Sequence, residues 1–173
     1  MPGLAMLDTL ERWDRKIERW GMVPVQTKNK IIWQPNPDHP DGSPNPQRLA
    51  LESKADELFY GGAAGGGKSD LLLGAAFTRH KRSALFRRVY PNLRSLILRS
   101  VEMVGESKQY NKTEKLWNLA DRTIEFGAVQ YEDDKRNWQG RPHDLKGFDE
   151  ITEFTKSQYL FIIGWNRSTD PGQ

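Results

Sequence analysis

The stretch Gly62-Ala63-Ala64-Gly65-Gly66-Gly67-Lys68-Ser69 has the spacing G-x-x-x-x-G-K-[ST] without a gap. This spacing is typical of a loop whose backbone N–H groups surround phosphate oxygens. Glycines allow the positive φ angles that such a loop needs. A helix that begins near Lys68 would direct the positive end of its dipole at the same phosphates. Residues 62–69 are therefore predicted to bind ATP.

The last two residues of this stretch have separate predicted roles. The Lys68 ammonium is expected to contact the β- and γ-phosphates as a catalytic group, and the Ser69 hydroxyl is expected to ligate Mg²⁺. The alternative is a flexible glycine loop that ends in a helix and binds nothing, but the Lys-Ser pair would then have no purpose.

A loop of this kind needs an acidic partner at the end of a strand, and Phe148-Asp149-Glu150 is the best candidate. Asp149 is predicted to hold Mg²⁺, and Glu150 is predicted to polarise the attacking water. The alternative is an ordinary surface Asp-Glu pair. The strand before it is imperfect, because Lys146 and Gly147 stand where a buried parallel strand is usually apolar.

The residues around the glycine stretch alternate between strand and helix patterns. The predicted segments are an amphipathic helix at 5–20, a proline-rich arm at 34–46, strands at 57–60, 83–86 and 145–149, helices at 68–80, 91–104 and 156–165, and a hairpin or kinked strand at 123–131. Such alternation predicts an α/β fold with a parallel sheet flanked by helices. The predicted regions are an N-terminal helix and lead-in at 1–33, the arm at 34–46 and an ATPase domain at 47–173.

Composition excludes several classes of protein. The 173 residues carry a net charge of +3 and include no cysteine and three histidines. Disulfide frameworks and thiol chemistry are therefore excluded, and an imidazole metal cage is not expected. No apolar run approaches the roughly 18 residues of a membrane span, and the N-terminus has no secretory-signal pattern.

Several further segments, together with the two motifs, resemble the N-terminal ATPase region of the large terminase subunit of tailed phages. The resemblance runs from about residue 33 to residue 169. The segments that carry it are Trp33-Gln34-Pro35, Asn45-Pro46-Gln47, residues 59–69, residues 86–94, residues 124–127, Gln139-Gly140 and Gly147-Phe148-Asp149-Glu150-Ile151-Thr152-Glu153-Phe154.

This resemblance implies a P-loop NTPase of the ASCE type that hydrolyses ATP with Mg²⁺ to drive double-stranded DNA into a procapsid. It implies a homo-oligomeric ring on a portal, a small terminase subunit as partner, no membrane, and a site of action in the host bacterial cytoplasm rather than in the mature virion. It also implies that Gln47 reads the edge of the adenine base.

The family also uses an arginine finger that stabilises charge on the γ-phosphate. Arg136, Arg141 and Arg88 are the candidates for a finger that acts on a neighbouring subunit. The alternative for each is an ordinary surface arginine.

Two departures from the family lead us to expect a fragment of a longer phage or prophage protein. The chain ends soon after the acidic pair and shows no cluster of nuclease carboxylates. In the family's sheet order, the strand after the acidic strand lies between that strand and the strand before the glycine loop. We therefore expect an incomplete sheet with unpaired edges or a gap. Measurable turnover by the isolated, monomeric chain would argue against a fragment.

A basic stretch at residues 71–101 is a candidate surface for nucleic acid, and two other functions remain as alternatives. Residues 71–101 include no acidic residue, and their seven basic residues could track a DNA backbone or form a solvated surface: Arg79, Lys81, Arg82, Arg87, Arg88, Arg94 and Arg99. The rivals to a packaging ATPase are another P-loop ATPase, helicase-like or RecA-like, and a non-catalytic fragment that only binds nucleotide or a partner.

Overall fold

The computed structural model describes residues 33–62, 65–105 and 108–167. The chain divides between Gly62 and Ala63 into two compact units. The predicted helix at 5–20 lies outside the described residues. The predicted boundary between arm and ATPase domain at 46/47 falls inside the first unit.

The described part of the first unit is the proline-rich arm followed by helix α1 (Pro46–Glu52). Asn45 caps this helix, because its side chain accepts a hydrogen bond from the Gln47 N–H group at 2.9 Å. Asp38 accepts the Asn45 N–H at 2.8 Å and forms a two-pronged ion pair with Arg48 of the helix. The arm is therefore irregular, as predicted, and is tied to the helix by side-chain hydrogen bonds.

The second unit alternates helices and strands, as its pattern predicts. In chain order they are α2 (Lys68–Thr78), β1 (Arg82–Arg87), α3 (Tyr90–Val104), β2 (Tyr110–Asn111), β3 (Leu116–Asn118), β4 (Thr123–Ala128), a 3-10 helix (Glu132–Trp138), β5 (Leu145–Phe148), a 3-10 turn (Ile151–Glu153) and α4 (Lys156–Ile163). Local signals set several of these bounds. Pro91 lies in the first turn of α3, Gly105 ends that helix at φ 75°, and Thr155 with Gln158 forms a capping box on α4.

The strands form a five-stranded mixed sheet in the order β2-β3-β4-β1-β5. β1 is parallel to both β4 and β5, whereas β2, β3 and β4 are antiparallel neighbours. The parallel register pairs Phe86 with Gly127 and with Phe148. The carboxyl ends of β1, β4 and β5 therefore meet at one edge of the sheet, and β5 is an outer strand.

Both faces of the sheet are covered by apolar residues. On one face Phe77 of α2 meets Trp117 edge-on, and the Trp117 indole N–H donates to Ser100 of α3 at 2.9 Å. On the other face a core of small and large apolar residues forms under α4 and the first 3-10 helix: Ala84, Phe86, Val129, Trp138 and Ile162, with Phe148 and Phe154 against it. The α/β class with flanking helices is thereby confirmed.

One prediction of local structure is wrong. Residues 57–60 form no strand, and Leu58 and Phe59 are 52% and 67% exposed. A run of four residues becomes a strand only when a neighbouring strand pairs with it. Within the described part of the chain, no sheet includes residues 57–60. Of the two alternatives predicted for 123–131, a hairpin or a kinked strand, the structure shows a strand, because β4 (Thr123–Ala128) pairs with β1 and β3.

Helix α3 buries four positions on one face: Leu93, Leu96, Ser100 and Val104. The polar Ser100 is accommodated there because its hydroxyl accepts the Trp117 indole N–H.

Candidate functional site

Ser69 and Asp149 are separated by eighty positions in the sequence and form a direct hydrogen bond. The Ser69 hydroxyl donates to Asp149 Oδ2 at 2.9 Å. Ser69 lies in the first turn of α2, and Asp149 directly follows β5. The two residues predicted to ligate Mg²⁺ are therefore in contact.

The backbone of β5 positions Asp149 at this contact. The Asp149 N–H donates to the Phe86 carbonyl at 2.9 Å, which extends the β1–β5 ladder by one residue. Asp149 is 4% exposed. A strand followed immediately by a buried carboxylate at the carboxyl edge of a parallel sheet is the usual geometry of ligand sites in α/β folds.

Gly147 allows α2 to approach β5 closely. A Cβ atom at Gly147 would lie 2.2 Å from Leu72 Cδ1 and 3.0 Å from Leu85 Cδ2. The glycine that made this strand look imperfect in the sequence is therefore a packing requirement. It permits the helix that carries Ser69 to lie against the strand that leads to Asp149.

The backbone of residues 65–69 matches the predicted requirement for glycine. Gly65 has φ 81°, and Gly67 has φ 68° and ψ 23° as the residue preceding α2. Both angles are in the left-handed region, where a side chain is strained. Lys68 and Ser69 follow as the first residues of the helix, so their N–H groups lie at its positive end. Ala63 and Ala64 lie outside the described residues.

An ion pair between Asp70 and Arg99 anchors the start of α2. Arg99 of α3 donates from Nε and Nη2 to the two carboxylate oxygens of Asp70 at 2.7 and 2.8 Å. The hydrogen bonds to Asp70 raise the pKa of Arg99. This fork-shaped pair fixes the residue next to Ser69, so it restrains the orientation of the helix terminus.

Glu150 has an unusual backbone. It is exposed, and its φ of 58° and ψ of 57° lie in the left-handed region. It precedes the short 3-10 turn, and its carbonyl accepts the Glu153 N–H at 3.0 Å. The chain therefore turns sharply directly after Asp149. Strained backbone of this kind is common at functional sites.

Arg87 is a site residue that the sequence reading did not identify as such. It is the last residue of β1, and its Nε and Nη2 atoms lie 2.8 and 2.7 Å from Asp149 Oδ2. The signal was present in the sequence, since the ends of adjacent parallel strands meet at one edge. Assigning Arg87 to that edge required the register of β1 against β5.

Gln47 belongs to the first unit, where it is 6% exposed. Its side-chain oxygen accepts a hydrogen bond from the Asn36 N–H at 3.3 Å. This contact gives Gln47 a structural role in holding the arm on α1. Its reading of adenine stays a prediction.

The three arginine-finger candidates have different surroundings. Arg88 donates from Nη1 to the Val129 carbonyl at 2.9 Å and also to Gln158, so it must break both contacts before it can act on a neighbour. Arg141 lies 2.5 Å from Glu125 and above the Trp138 ring. Arg136 has a side chain that is 72% exposed and a loose 3.5 Å ion pair with Asp133. Exposure therefore favours Arg136.

Part of the basic stretch is used inside the fold. Arg87 binds Asp149, Arg88 binds Val129 and Gln158, and Arg99 binds Asp70 and Glu102. Arg94 is exposed. Three of the seven basic side chains are therefore engaged within the fold, and two of them, Arg87 and Arg99, are paired with carboxylates.

The donor set at Ser69 and Asp149 suits Mg²⁺. A hydroxyl and a carboxylate are hard oxygen donors, and Mg²⁺ typically uses one or two protein oxygens and takes its other ligands from water and phosphate. Within the described residues, no cluster of three or more histidine, aspartate or glutamate side chains could hold a metal. A cation here would take its remaining ligands from water or from a bound phosphate.

No helix in residues 33–62, 65–105 or 108–167 has both the length and the apolar character needed to cross a membrane. Comparisons with protein-family models, with curated proteins and with solved structures find no match to this chain.

Proposed function

We propose that this chain binds ATP with Mg²⁺ and hydrolyses it as the ATPase part of a DNA-packaging motor of the large-terminase type. The observation that carries the ATP-binding part is the 2.9 Å hydrogen bond between Ser69 Oγ and Asp149 Oδ2. In a P-loop NTPase these two residues share one Mg²⁺ ion, and a surface Asp-Glu pair has no reason to meet the first turn of the helix after a glycine loop.

The proposed roles follow from these positions. Lys68 and the N–H groups at the start of α2 bind the phosphates, and Ser69 with Asp149 holds Mg²⁺, which offsets phosphate charge when bound. Glu150, an exposed carboxylate directly after Asp149, orients the attacking water. Arg136 is the preferred finger for a neighbouring subunit in the ring, because its side chain is the most exposed of the three candidates.

The packaging role rests on the resemblance of the segments around these motifs. The position of β5 at the outside of the sheet also supports it, since the family resemblance implies a further strand beside the acidic strand. Double-stranded DNA, the portal and the small terminase subunit are the proposed partners, and the host cytoplasm is the proposed site of action.

Binding of a fluorescent ATP analogue in the presence of Mg²⁺ tests the nucleotide site. Lys68→Ala should weaken binding by about 10–100-fold, because it removes charge-assisted contacts to phosphate. Lys112→Ala is the matched control, since Lys112 is an exposed lysine in the turn between β2 and β3. Equal affinities for wild type and the Lys68 variant would contradict the proposal.

Phosphate release separates the proposed motor from its rivals. Turnover that rises when procapsids and the small subunit are added supports a packaging ATPase. Turnover that responds to single-stranded DNA and not to procapsids supports a helicase-like enzyme. Lys68-dependent binding without any turnover supports a fragment that only binds nucleotide.

A further inference from the structure

Three donors converge on a single carboxylate oxygen at the site. Asp149 Oδ2 accepts from Ser69 Oγ at 2.9 Å and from Arg87 Nε at 2.8 Å, and Arg87 Nη2 lies 2.7 Å away. The Arg87 side chain is 15% exposed and that of Asp149 is 4% exposed. The pair is therefore a largely buried ion pair and not a solvated surface contact.

A buried carboxylate needs a positive partner, because an uncompensated charge away from water is costly. Arg87 supplies that charge here, and both of its contacting nitrogens use the oxygen that Ser69 also uses. A divalent cation held by Ser69 Oγ and the Asp149 carboxylate would lie close to this oxygen and would compete with Arg87 for the carboxylate charge. It would also bring a second positive charge next to the guanidinium, and like charges at such a distance repel strongly in a poorly solvated site.

We propose that Arg87 is a positioning residue that competes with the divalent cation for Asp149. Arg87 neutralises and orients the carboxylate when no metal is bound, and it leaves Asp149 Oδ2 when the metal arrives. This inference rests on the proposed nucleotide site and adds to it a residue that sets how tightly the metal binds. Competition and release are reciprocal, so removing Arg87 must strengthen metal binding.

The neighbouring arginines make the assignment specific to Arg87. Arg88, the next residue, donates to Val129 and Gln158. Arg99 binds Asp70 and Glu102. Arg94 is exposed and serves as a control for a general change of charge.

The first experiment measures the affinity for Mn²⁺ alone by electron paramagnetic resonance, on the whole chain, for wild type, Arg87→Gln and Arg94→Gln. Arg87→Gln should tighten Mn²⁺ binding by roughly 5–150-fold, the usual range for coupled sites. Arg94→Gln should leave it within about twofold of wild type, as expected for an exposed charge. Unchanged or weaker Mn²⁺ binding by Arg87→Gln overturns the inference, because a purely structural arginine would give that result.

A second experiment covers the case in which Arg87→Gln does not fold. The Nε–H resonance of Arg87 is followed in ¹H–¹⁵N spectra of the wild-type chain and is assigned by its loss in Arg87→Lys. Saturation with Mg²⁺ and a non-hydrolysable ATP analogue should shift this resonance and speed its exchange with water. A resonance that stays unchanged at saturation overturns the inference.

The outcomes also distinguish this inference from the proposed function. If wild type binds Mg²⁺·ATP in a Lys68-dependent way but Arg87 keeps its contact, only the competition is wrong. If wild type binds neither Mg²⁺·ATP nor Mn²⁺, the proposed function and this inference are both overturned.

Discussion

Glu150 is the residue at which backbone strain and proposed chemistry coincide. Its left-handed conformation, with φ 58° and ψ 57°, costs a residue with a side chain about 1–2 kcal/mol. The conformation turns the chain directly after the buried Asp149. The fold therefore tolerates strain at the position where a water-orienting carboxylate is proposed.

Two substitutions at this position should separate strain from chemistry. Glu150→Gln keeps the backbone strain, because glutamine also has a Cβ atom, whereas Glu150→Gly removes that strain. Both substitutions remove the carboxylate. We expect both variants to lose about 10²–10⁴-fold in turnover. Glu150→Gly should exceed Glu150→Gln in free energy of unfolding by roughly 1 kcal/mol, measured by urea denaturation. A glycine variant that is less stable than the glutamine variant would show that the left-handed backbone is not strained.

At the scale of elements, the site depends on how closely α2 lies against β5. The helix carries Lys68 and Ser69, the strand leads to Asp149, and the contact between them passes through Leu72 and Gly147. The Asp70–Arg99 pair holds the same helix end against α3. Two independent contacts thus fix the helix terminus, one apolar and one ionic.

Gly147→Ala should disturb both stability and nucleotide binding. The added methyl group would lie 2.2 Å from Leu72 Cδ1, so Leu72 must move or α2 must shift outward. We expect a loss of about 1–3 kcal/mol in the free energy of unfolding, which is usual for overpacking. Affinity for an ATP analogue should fall as well, because an outward shift of α2 separates Ser69 from Asp149.

Leu72→Ala provides the matching control through a double-mutant cycle. Shortening Leu72 vacates the space that the new methyl group needs, so the double variant should be more stable than the sum of the two single effects predicts. Additive effects would mean that Gly147 and Leu72 do not interact. Gly127→Ala offers a comparison, since its methyl group would meet the rigid Trp138 ring at 2.0 Å and should cost more than Gly147→Ala.

At the scale of the whole molecule, a half-buried lysine links stability to pH. Lys146 of β5 donates to the Ile162 carbonyl of α4 at 2.9 Å. Burial, followed by the nearby charge of Arg141, lowers the pKa of Lys146 from 10.5 to about 8, while Glu125 acts in the opposite direction. Between these two values the unfolded chain binds more protons at this residue than the folded chain does.

Stability should therefore rise with pH in this window. We expect the urea midpoint of the wild type to increase from pH 7.5 to pH 9.5 relative to that of Lys146→Met, which has no titrating group at this position. The comparison must stay below about pH 10, because burial raises the pKa of Tyr110 and the folded state loses stability once unfolded tyrosines ionise. Parallel curves for wild type and Lys146→Met would mean that Lys146 titrates alike in both states.

The sequence predicted much of this molecule from signals that act over a few residues. The α/β class, helices α2, α3 and α4, and strands β1 and β5 follow from periodicity, capping residues and prolines. The same local signals wrongly predicted a strand at residues 57–60, because a strand forms only when a neighbouring strand pairs with it. The burial of Ser100 in α3 was not predictable from the sequence either, because it accompanies a hydrogen bond from Trp117 that no local pattern encodes.

The sequence by itself determined the glycine loop, the helix behind it and the acidic residue at the end of a strand, because each is a local choice of backbone conformation. The tertiary structure alone decided that Ser69 meets Asp149 and that Arg87 shares the same oxygen. These contacts join residues 80 and 62 positions apart. They depend on the register of β1 against β5 and on the close approach of α2 that Gly147 permits, and both are properties of packing rather than of any short stretch of chain.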